Sequence, residues 1–296
     1  MLDRASTFAD PEVVEMLKTK FVPVAIDQWY QRRQKDAEGD FYRKIAGQGP
    51  RNDFKSTTQG LYAAAPDGTL YIYTNSRQAH YIEKQMKEAL AKHKPSATAA
   101  VAAGSPDKQF NPQLPEGGLV VRVQAKVLGG YEPTDDAMQQ IFQNAVSRDN
   151  LWMTGAEHAA LARGEFPGSL QRKIARFHLI DNTRGEPPMW KPEEVKDVSM
   201  SLNDGVIIGR VHVETANSDR GYTAEFRGHV DVSDGKVSRF DLVAKGLFWG
   251  QGGATGNPPP GKFPLGISFS LTDGSDSADS IPPQASRGWL RGYMID

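Results

Sequence analysis

Residues 206–232 read VIIGRVHVETANSDRGYTAEFRGHVDV, and apolar and polar residues alternate through both halves of this stretch. Successive side chains of a strand point to opposite faces of a sheet, so this alternation is typical of a strand with one buried and one solvated face. Residues 217–220 (NSDR) interrupt the pattern with residue types that favour turns. The stretch therefore predicts an antiparallel hairpin whose polar side chains share one face.

Further strands and turns extend the pattern on both sides of this hairpin. Asn203-Asp204-Gly205 and Ser233-Asp234-Gly235 separate apolar runs and are typical hairpin turns. The strands predicted here are residues 195–202, 206–215, 222–232, 236–249 and 263–271. Helical patterns at residues 134–148 and 156–180 precede most of them. This order indicates an α+β domain with a largely antiparallel sheet, which we place at residues 118–296.

The amino-terminal third mixes helices and strands. A helix is predicted to begin at Pro11, because Asp10 can accept hydrogen bonds from its free N–H groups. Residues 21–27 (FVPVAID) are predicted as a strand, placed at a sheet edge because Pro23 lacks an N–H. A helix at residues 28–47 follows. The last elements are a hairpin of residues 59–65 and 69–73, turning at Pro66-Asp67-Gly68, and a helix at residues 77–92.

The sequence of this amino-terminal third resembles that of a known group of protein families. The sequence TFADPEVV at residues 7–14, followed by residues 21–27 and by the Pro66-Asp67-Gly68 hairpin, is similar to thioredoxin-like families. The resemblance covers residues 8–92 and implies an α/β thioredoxin-like domain at residues 1–93. It is specific for a fold and not for a function.

Three features of those families are missing from this chain. Their Cys-x-x-Cys motif would fall at or before Met1, and Ser56-Thr57-Thr58-Gln59 stands where they place a cis-proline. Their first strand is missing as well, which would leave two sheet edges unpaired. We expect the second domain or another copy of the chain to cover those edges, unless the natural protein begins upstream of Met1.

A linker and one further strand connect the two predicted domains. Residues 94–117 are rich in Pro, Ala, Ser and Gly and are interpreted as a linker. Residues 118–128 alternate strongly and could fill the gap in the thioredoxin-like sheet. Their polar set of Arg122, Gln124 and Lys126 suits a strand with one wet face. We therefore assign this strand to the carboxy-terminal sheet.

Composition limits the classes of function. The chain has 296 residues, with 35 basic against 36 acidic residues and no cysteine. Without a thiol there is no dithiol redox centre, no cysteine nucleophile and no thiolate metal site. The balanced charge argues against nucleic acid as a partner, and no apolar run is long enough for a membrane span. We expect a cytoplasmic protein without a cofactor, although a removed leader would leave no trace.

The predicted hairpin supplies one candidate metal site. His212, Glu225 and His229 fall on its polar face, and imidazole and carboxylate groups can bind a divalent metal or act as an acid–base pair. The alternative is a solvated sheet face on which mixed charges pair across strands. Arg210 and Arg227 lie among these residues and favour the alternative, because cations repel a metal ion.

Aromatic residues beside proline-rich segments supply a candidate ligand site. If Arg184, Trp190 and Trp249 converge, they would line an apolar pocket that contains one cation. The alternative is that these tryptophans only anchor loops on the sheet.

The sequence thus favours a redox-inactive thioredoxin-like protein that acts by binding. Its partner would be an unknown protein or a small-molecule ligand, and a homodimer would fit the expected open sheet edges. The alternative is a hydrolase or metal-dependent enzyme with its site in the carboxy-terminal domain.

Overall fold

The computed structural model describes residues 2–94, 104–253 and 255–295, which form two compact units. One is Ser6–Gln113, and the other combines Met1–Ala5 with Leu114–Asp296. Part of the predicted linker, residues 95–103, lies outside the described residues. Residues 104–113 belong to the first unit, where Asp107 accepts a hydrogen bond from Lys35 N and donates one from its own N to Asp36.

The first unit consists of short helices and one hairpin. In chain order its elements are α1 (Pro11–Lys20), α2 (Gln28–Gln31), α3 (Ala37–Ala46), β1 (Leu61–Ala64), β2 (Leu70–Thr74) and α4 (Ala79–Lys92). Asp10 caps α1 as predicted, accepting from the N–H groups of Glu12 and Val13. Val13 packs with Ile82 and Met86 in a small core between α1 and α4.

Two predictions for this unit are wrong. Residues 21–27 form no strand, because no neighbouring strand in the described chain supplies a ladder partner. The predicted helix at residues 28–47 is broken between α2 and α3. Strands β1 and β2 therefore form a separate two-stranded antiparallel sheet, and the larger thioredoxin-like sheet implied by the resemblance is not formed by the described residues.

The second unit is built on a seven-stranded sheet that is antiparallel throughout. Its strands are β3 (Leu119–Val127), β4 (Asp149–Met153), β5 (Val195–Asn203), β6 (Val206–Glu214), β7 (Gly221–Ser233), β8 (Lys236–Trp249) and β9 (Lys262–Leu271). The spatial order is β4-β3-β9-β8-β7-β6-β5, so β4 and β5 are the edges. The predicted hairpin of residues 206–232 and the large antiparallel sheet are confirmed.

The assignment of residues 118–128 to this sheet is also confirmed. Strand β3 pairs with β4 on one side and with β9 on the other. Its alternate residues, from Val121 to Val127, are buried in the core of the second unit.

Helices cover one face of this sheet, which is called the inner face here. They are α6 (Gly155–Ala162), α7 (Gly168–Lys173) and α8 (Leu290–Ile295), and a π-helical turn, Ile174–His178, continues α7. Helix α5 (Ala137–Asn144) lies outside this core, and its Phe142 and Ala145 pack against Ala5. Leu170, Ile174 and Phe177 are completely buried against the inward side chains of the strands. The opposite, outer face carries the polar alternation that the sequence predicts.

Both edges of the sheet are bonded to α7. At one edge, the Gln171 side chain accepts from Met200 N at 3.0 Å and donates to Met200 O at 3.2 Å, which satisfies the free backbone of β5. At the other edge, Lys173 Nζ lies 3.3 Å from Trp152 O of β4. Residues two apart on a helix point about 200° apart, so one helix can reach both edges.

This double attachment requires a strongly curled sheet. Seven strands laid flat would set the two edges about 29 Å apart, whereas a helix with its side chains is only about 10–12 Å wide. Strand-interior glycines allow the curl. A Cβ at Gly246 would lie 1.9 Å from Thr223 O, and one at Gly228 would lie 2.4 Å from Asp241 O.

The acidic segment at residues 273–279 fastens the following chain to the sheet. Asp279 lies 3.1 Å from Arg122 and 2.6 Å from Arg148, and Asp276 lies 2.6 Å from Arg148. Asn150 donates to the carbonyl groups of residues 278 and 281 at 2.8 Å each. The Arg148 guanidinium holds the pKa of Asp276 below its usual value. The segment is a polar turn whose acidic side chains are neutralised by arginines.

Helix length and composition bear on membrane association. Across residues 2–94, 104–253 and 255–295, no helix combines the length and the apolar composition needed to cross a bilayer.

The bond between α7 and β5 gives the first prediction. Replacing Gln171 with Leu leaves the N–H and C=O of Met200 without a partner, and we expect a loss of about 1–3 kcal/mol in the free energy of unfolding. Urea denaturation measures this loss. Gln124→Leu, on the outer face, is the matched control and should change stability by less than about 0.5 kcal/mol. Equal effects of the two substitutions would contradict the role given to Gln171.

Candidate functional site

Arg184, from the predicted ligand pocket, is a buried structural residue. Its Nε donates to Asp181 Oδ2 at 3.1 Å, its Nη2 contacts the same oxygen, and its Nη1 donates to Gly256 O at 2.5 Å. Asp181 in turn accepts from the N–H and the hydroxyl of Thr183. The guanidinium therefore joins two loops and offers no free donor pair to a ligand.

Trp190 is completely buried on the inner side of the sheet. Its Nε1 donates to Leu179 O at 2.7 Å, and its ring lies 6.4 Å from that of Phe248. The Arg220 guanidinium lies 4.1 Å from the ring centroid and donates to Pro188 O. Burial lowers the pKa of Arg220. This cation was not expected, because the sequence places Arg220 in a hairpin turn.

Trp249 lies on the outer face, because the preceding residue, Phe248, points inward. Its ring covers Gly221 of the neighbouring strand, where a Cβ would lie 2.1 Å from Cζ2, and its Nε1 donates to Ser218 O. Arg184, Trp190 and Trp249 are therefore not brought together in one pocket.

The three candidate metal ligands are also kept apart. His212 stands opposite Thr223, Glu225 opposite Arg210, and His229 opposite Val206. Since Val206 lies six positions from His212 along β6, the two histidines are about 20 Å apart.

Each of these side chains has a closer polar neighbour on its own strand. His212 Nε2 lies 3.7 Å from Glu214, Glu225 lies 3.2 Å from Arg227, and His229 Nε2 lies 2.7 Å from Asp231 Oδ1. Within the described chain, no group of three His, Cys, Asp or Glu side chains is arranged to hold a metal ion. The arrangement is that of a solvated sheet face.

A cluster of ionisable groups that sequence reasoning missed lies inside the second unit. His178 Nε2 lies 2.8 Å from the Tyr293 hydroxyl, and His178 Nδ1 lies 3.3 Å from Asp149 Oδ2, at an angle unsuited to a hydrogen bond. Lys173 Nζ donates to Glu157 Oε2 at 2.6 Å. His178 is a buried core residue whose Nδ1 has no hydrogen-bond partner in the described chain.

The chemistry of this cluster is limited by its burial. All five side chains are at most 7% exposed, so a substrate in solution reaches none of them. Burial raises the pKa of Tyr293 well above its usual value, and burial lowers the pKa of Lys173 although Glu157 opposes that effect. Tyr293 accepts from Trp152 N, and Lys173 donates to Trp152 O. The cluster therefore completes the hydrogen bonds of edge strand β4.

Several exposed apolar residues lie on the outer face of the second unit, some of them beside Trp249. Leu247 and Trp249 are alternate residues of β8, Pro264 stands opposite Leu247 on β9, and Leu128 N donates to Pro264 O. Leu247 and Leu128 are 46% and 48% exposed. The side chain of Leu128 covers Gly266, where a Cβ would lie 3.1 Å from Cδ1. We call Leu128, Leu247, Trp249 and Pro264 the outer strip.

Three lysines border the outer strip. Lys262 stands opposite Trp249, with Nζ 4.1 Å from its ring centroid. Lys245 stands opposite Gly266, which in turn stands opposite Lys126 on β3. None of the three forms an ion pair with any residue in the described part of the chain. The outer strip is thus an apolar surface with a cationic border.

The arginines of the same face behave differently. Arg210 lies 2.8 Å from Asp197, Arg227 lies 3.2 Å from Glu225, and Arg239 lies 2.5 Å from Asp241. Their charges are neutralised within the sheet, whereas those of the border lysines remain available to another molecule.

Two open surface depressions have linings that contain no residue of this strip. One, of about 220 Å³, is lined by residues 238–241 and 271–273. Another, of about 560 Å³, is lined only by residues of α4 in the first unit. Small-molecule sites are enclosed clefts of about 300–1,000 Å³. A depression against a single helix does not have that form.

The separation of His212 and His229 gives the second prediction. We expect the double variant His212→Gln/His229→Gln to unfold within about 0.5 kcal/mol of the parent, because both side chains are partly exposed. Added Zn²⁺ should not raise the melting temperature of the parent or of the double variant, as measured by differential scanning calorimetry. A zinc-dependent increase in the parent that the double variant loses would show that these histidines do bind metal.

Comparison with known proteins adds no assignment to this geometry. No protein family, curated protein or solved structure matches the chain.

Proposed function

We propose that this chain is a binding protein whose outer strip docks a partner protein. The partner surface would present apolar side chains flanked by carboxylates. The observation that carries the proposal is the combination of exposed Leu128 and Leu247 with three lysines that have no acidic partner in the described chain.

The form of the surface favours a protein over a small molecule. The outer strip lies across adjacent strands β3, β9 and β8 of one sheet face and is bordered rather than enclosed. Protein interfaces have this form, with an apolar centre and a polar rim, and they are enriched in tryptophan and depleted of lysine at the centre. Here Trp249, which is only 9% exposed, lies under Lys262, and the charged groups occupy the border.

The charge of the border favours an acidic partner. Unpaired lysines attract carboxylates and steer association more than they add affinity, and that attraction weakens as salt screens it. The paired arginines of the same face supply no such attraction.

The rival functions have less support. A thiol–disulfide oxidoreductase needs a thiolate, and the chain has no cysteine. A hydrolase needs its acid–base groups within reach of a substrate, whereas His178, Asp149 and Tyr293 are buried. The thioredoxin-like resemblance of residues 8–92 stays a prediction about fold, and the proposal does not depend on it.

Labelled peptides of about twelve residues, long enough to cross three strands, test the proposal. In one peptide leucine alternates with glutamate, and in the other leucine alternates with lysine. Because the border is cationic, we expect the glutamate peptide to bind at least about tenfold more tightly, with an affinity that falls as salt rises. Fluorescence anisotropy measures both affinities.

Charge reversal at the border supplies the decisive comparison. Lys245→Glu/Lys262→Glu should weaken binding of the glutamate peptide by at least about tenfold. Lys236→Glu is the matched control, because Lys236 lies at the other end of β8, about 30 Å from Lys245. If the control weakens binding as much as the double variant does, or if neither peptide binds, the outer strip is not a docking surface of this chemistry.

A further inference from the structure

Residues 21–27 of the first unit expose three large apolar side chains within seven residues. Val22 is 89% exposed, Val24 is 74% exposed and Ile26 is 38% exposed. The segment begins and ends in extended conformation, at Phe21 (φ −129°, ψ 163°) and Asp27 (φ −90°, ψ 102°). In extended chain, alternate residues point the same way. In a strand formed by these residues, Val22, Val24 and Ile26 would share one apolar face.

The backbone of this segment is also available. From residue 21 to residue 26, no backbone N–H or C=O bonds to another residue of the described chain. An extended, unpaired and apolar strand is a template for pairing with another chain. Scattered exposed apolar residues need no explanation, but a contiguous row of them indicates an interaction site.

We propose that residues 21–27 pair antiparallel with the same residues of a second copy of the chain. A pairing centred on Val24 sets Val22 opposite Ile26 of the other copy, and Ile26 opposite its Val22. All three apolar side chains of each strand then meet apolar side chains across the pair. Such an interface is self-complementary, as two-fold symmetry requires.

Pro23 selects which edge of the strand pairs. Suppose that Val24 of one copy and Val24 of the other form a hydrogen-bonded pair on the two-fold axis. The N–H groups of Val22 and Ile26 then also point into the ladder, whereas the backbone nitrogen of Pro23 points outward. The missing donor then costs nothing inside the pair. It also leaves the outer edge without one N–H, which disfavours a third strand and limits assembly to two copies.

Charge at the segment ends agrees with the antiparallel direction. Exposed Lys18 and Lys20 precede the segment, and Asp27 ends it. Antiparallel pairing brings the cationic end of each strand beside the anionic end of the other, whereas parallel pairing would bring like charges together. The other conceivable occupant, a sheet edge of a different protein, would not require this symmetry.

A single engineered cysteine tests the pairing. Since the chain has no cysteine of its own, Val24→Cys can form a disulfide only with another copy. Opposite residues of a hydrogen-bonded pair have Cα atoms about 5.5 Å apart, within the range that a disulfide spans. We expect mild oxidation to convert most of this variant to a covalent dimer. Val232→Cys, which is 45% exposed on β7, is the control and should convert far less.

A second variant measures the association without a covalent bond. One strand pair buries less than the roughly 1,200 Å² of stable complexes, so we expect the parent to dimerise in the micromolar range or more weakly. Analytical ultracentrifugation should show this dimer and its loss in Val24→Lys, whose two lysines would meet on the axis. The proposal would be overturned by a parent protein that stays monomeric or by equal cross-linking of Val24→Cys and Val232→Cys. Both results would count against self-pairing even if the segment binds a different protein.

Discussion

The buried ion pair of Lys173 and Glu157 is the interaction on which the second unit depends. An isolated cation inside a protein is very costly, and Lys173 is completely buried. Its Nζ is therefore compensated twice, by the Glu157 carboxylate of α6 and by the Trp152 carbonyl of β4. Two residues earlier, Gln171 bonds to the opposite edge strand. One short helix thus holds both edges of a seven-stranded sheet.

This attachment determines which surface is left for function. Once the sheet curls around α7, its inner face is filled by helices, and the ionisable groups near β4 are engaged with the edge backbone. Hydrogen bonds between Asp149 and the N–H groups of Asn150 and Gln284 belong to the same closure. The outer face remains accessible. There Arg210, Arg227 and Arg239 are paired within the sheet, whereas the lysines bordering the outer strip form no ion pair within the described chain.

The sequence predicts the second unit better than the first, for a physical reason. Alternation over many residues specifies a strand and its buried face, and this pattern is why the 206–232 hairpin and the place of β3 could be predicted. Residues 21–27 form an apolar run that also predicts a strand, but pairing needs a neighbouring strand, which no local pattern reports. The burial of Lys173 could not be predicted either, because a lysine in a helix is expected at the surface. The outer strip depends on cross-strand register, which the sequence leaves open.

A double-mutant cycle on the buried pair tests most directly whether these ionisable groups hold the fold. Lys173→Met leaves the Glu157 carboxylate buried without its cation, and Glu157→Gln leaves the ammonium without its anion. The glutamine introduced at position 157 can still accept the hydrogen bond from Thr154 N, so the start of α6 keeps its cap. If the account is right, urea denaturation shows each single variant destabilised by about 3–5 kcal/mol and the double variant more stable than either. Single variants within about 0.5 kcal/mol of the parent, with additive effects, would contradict it.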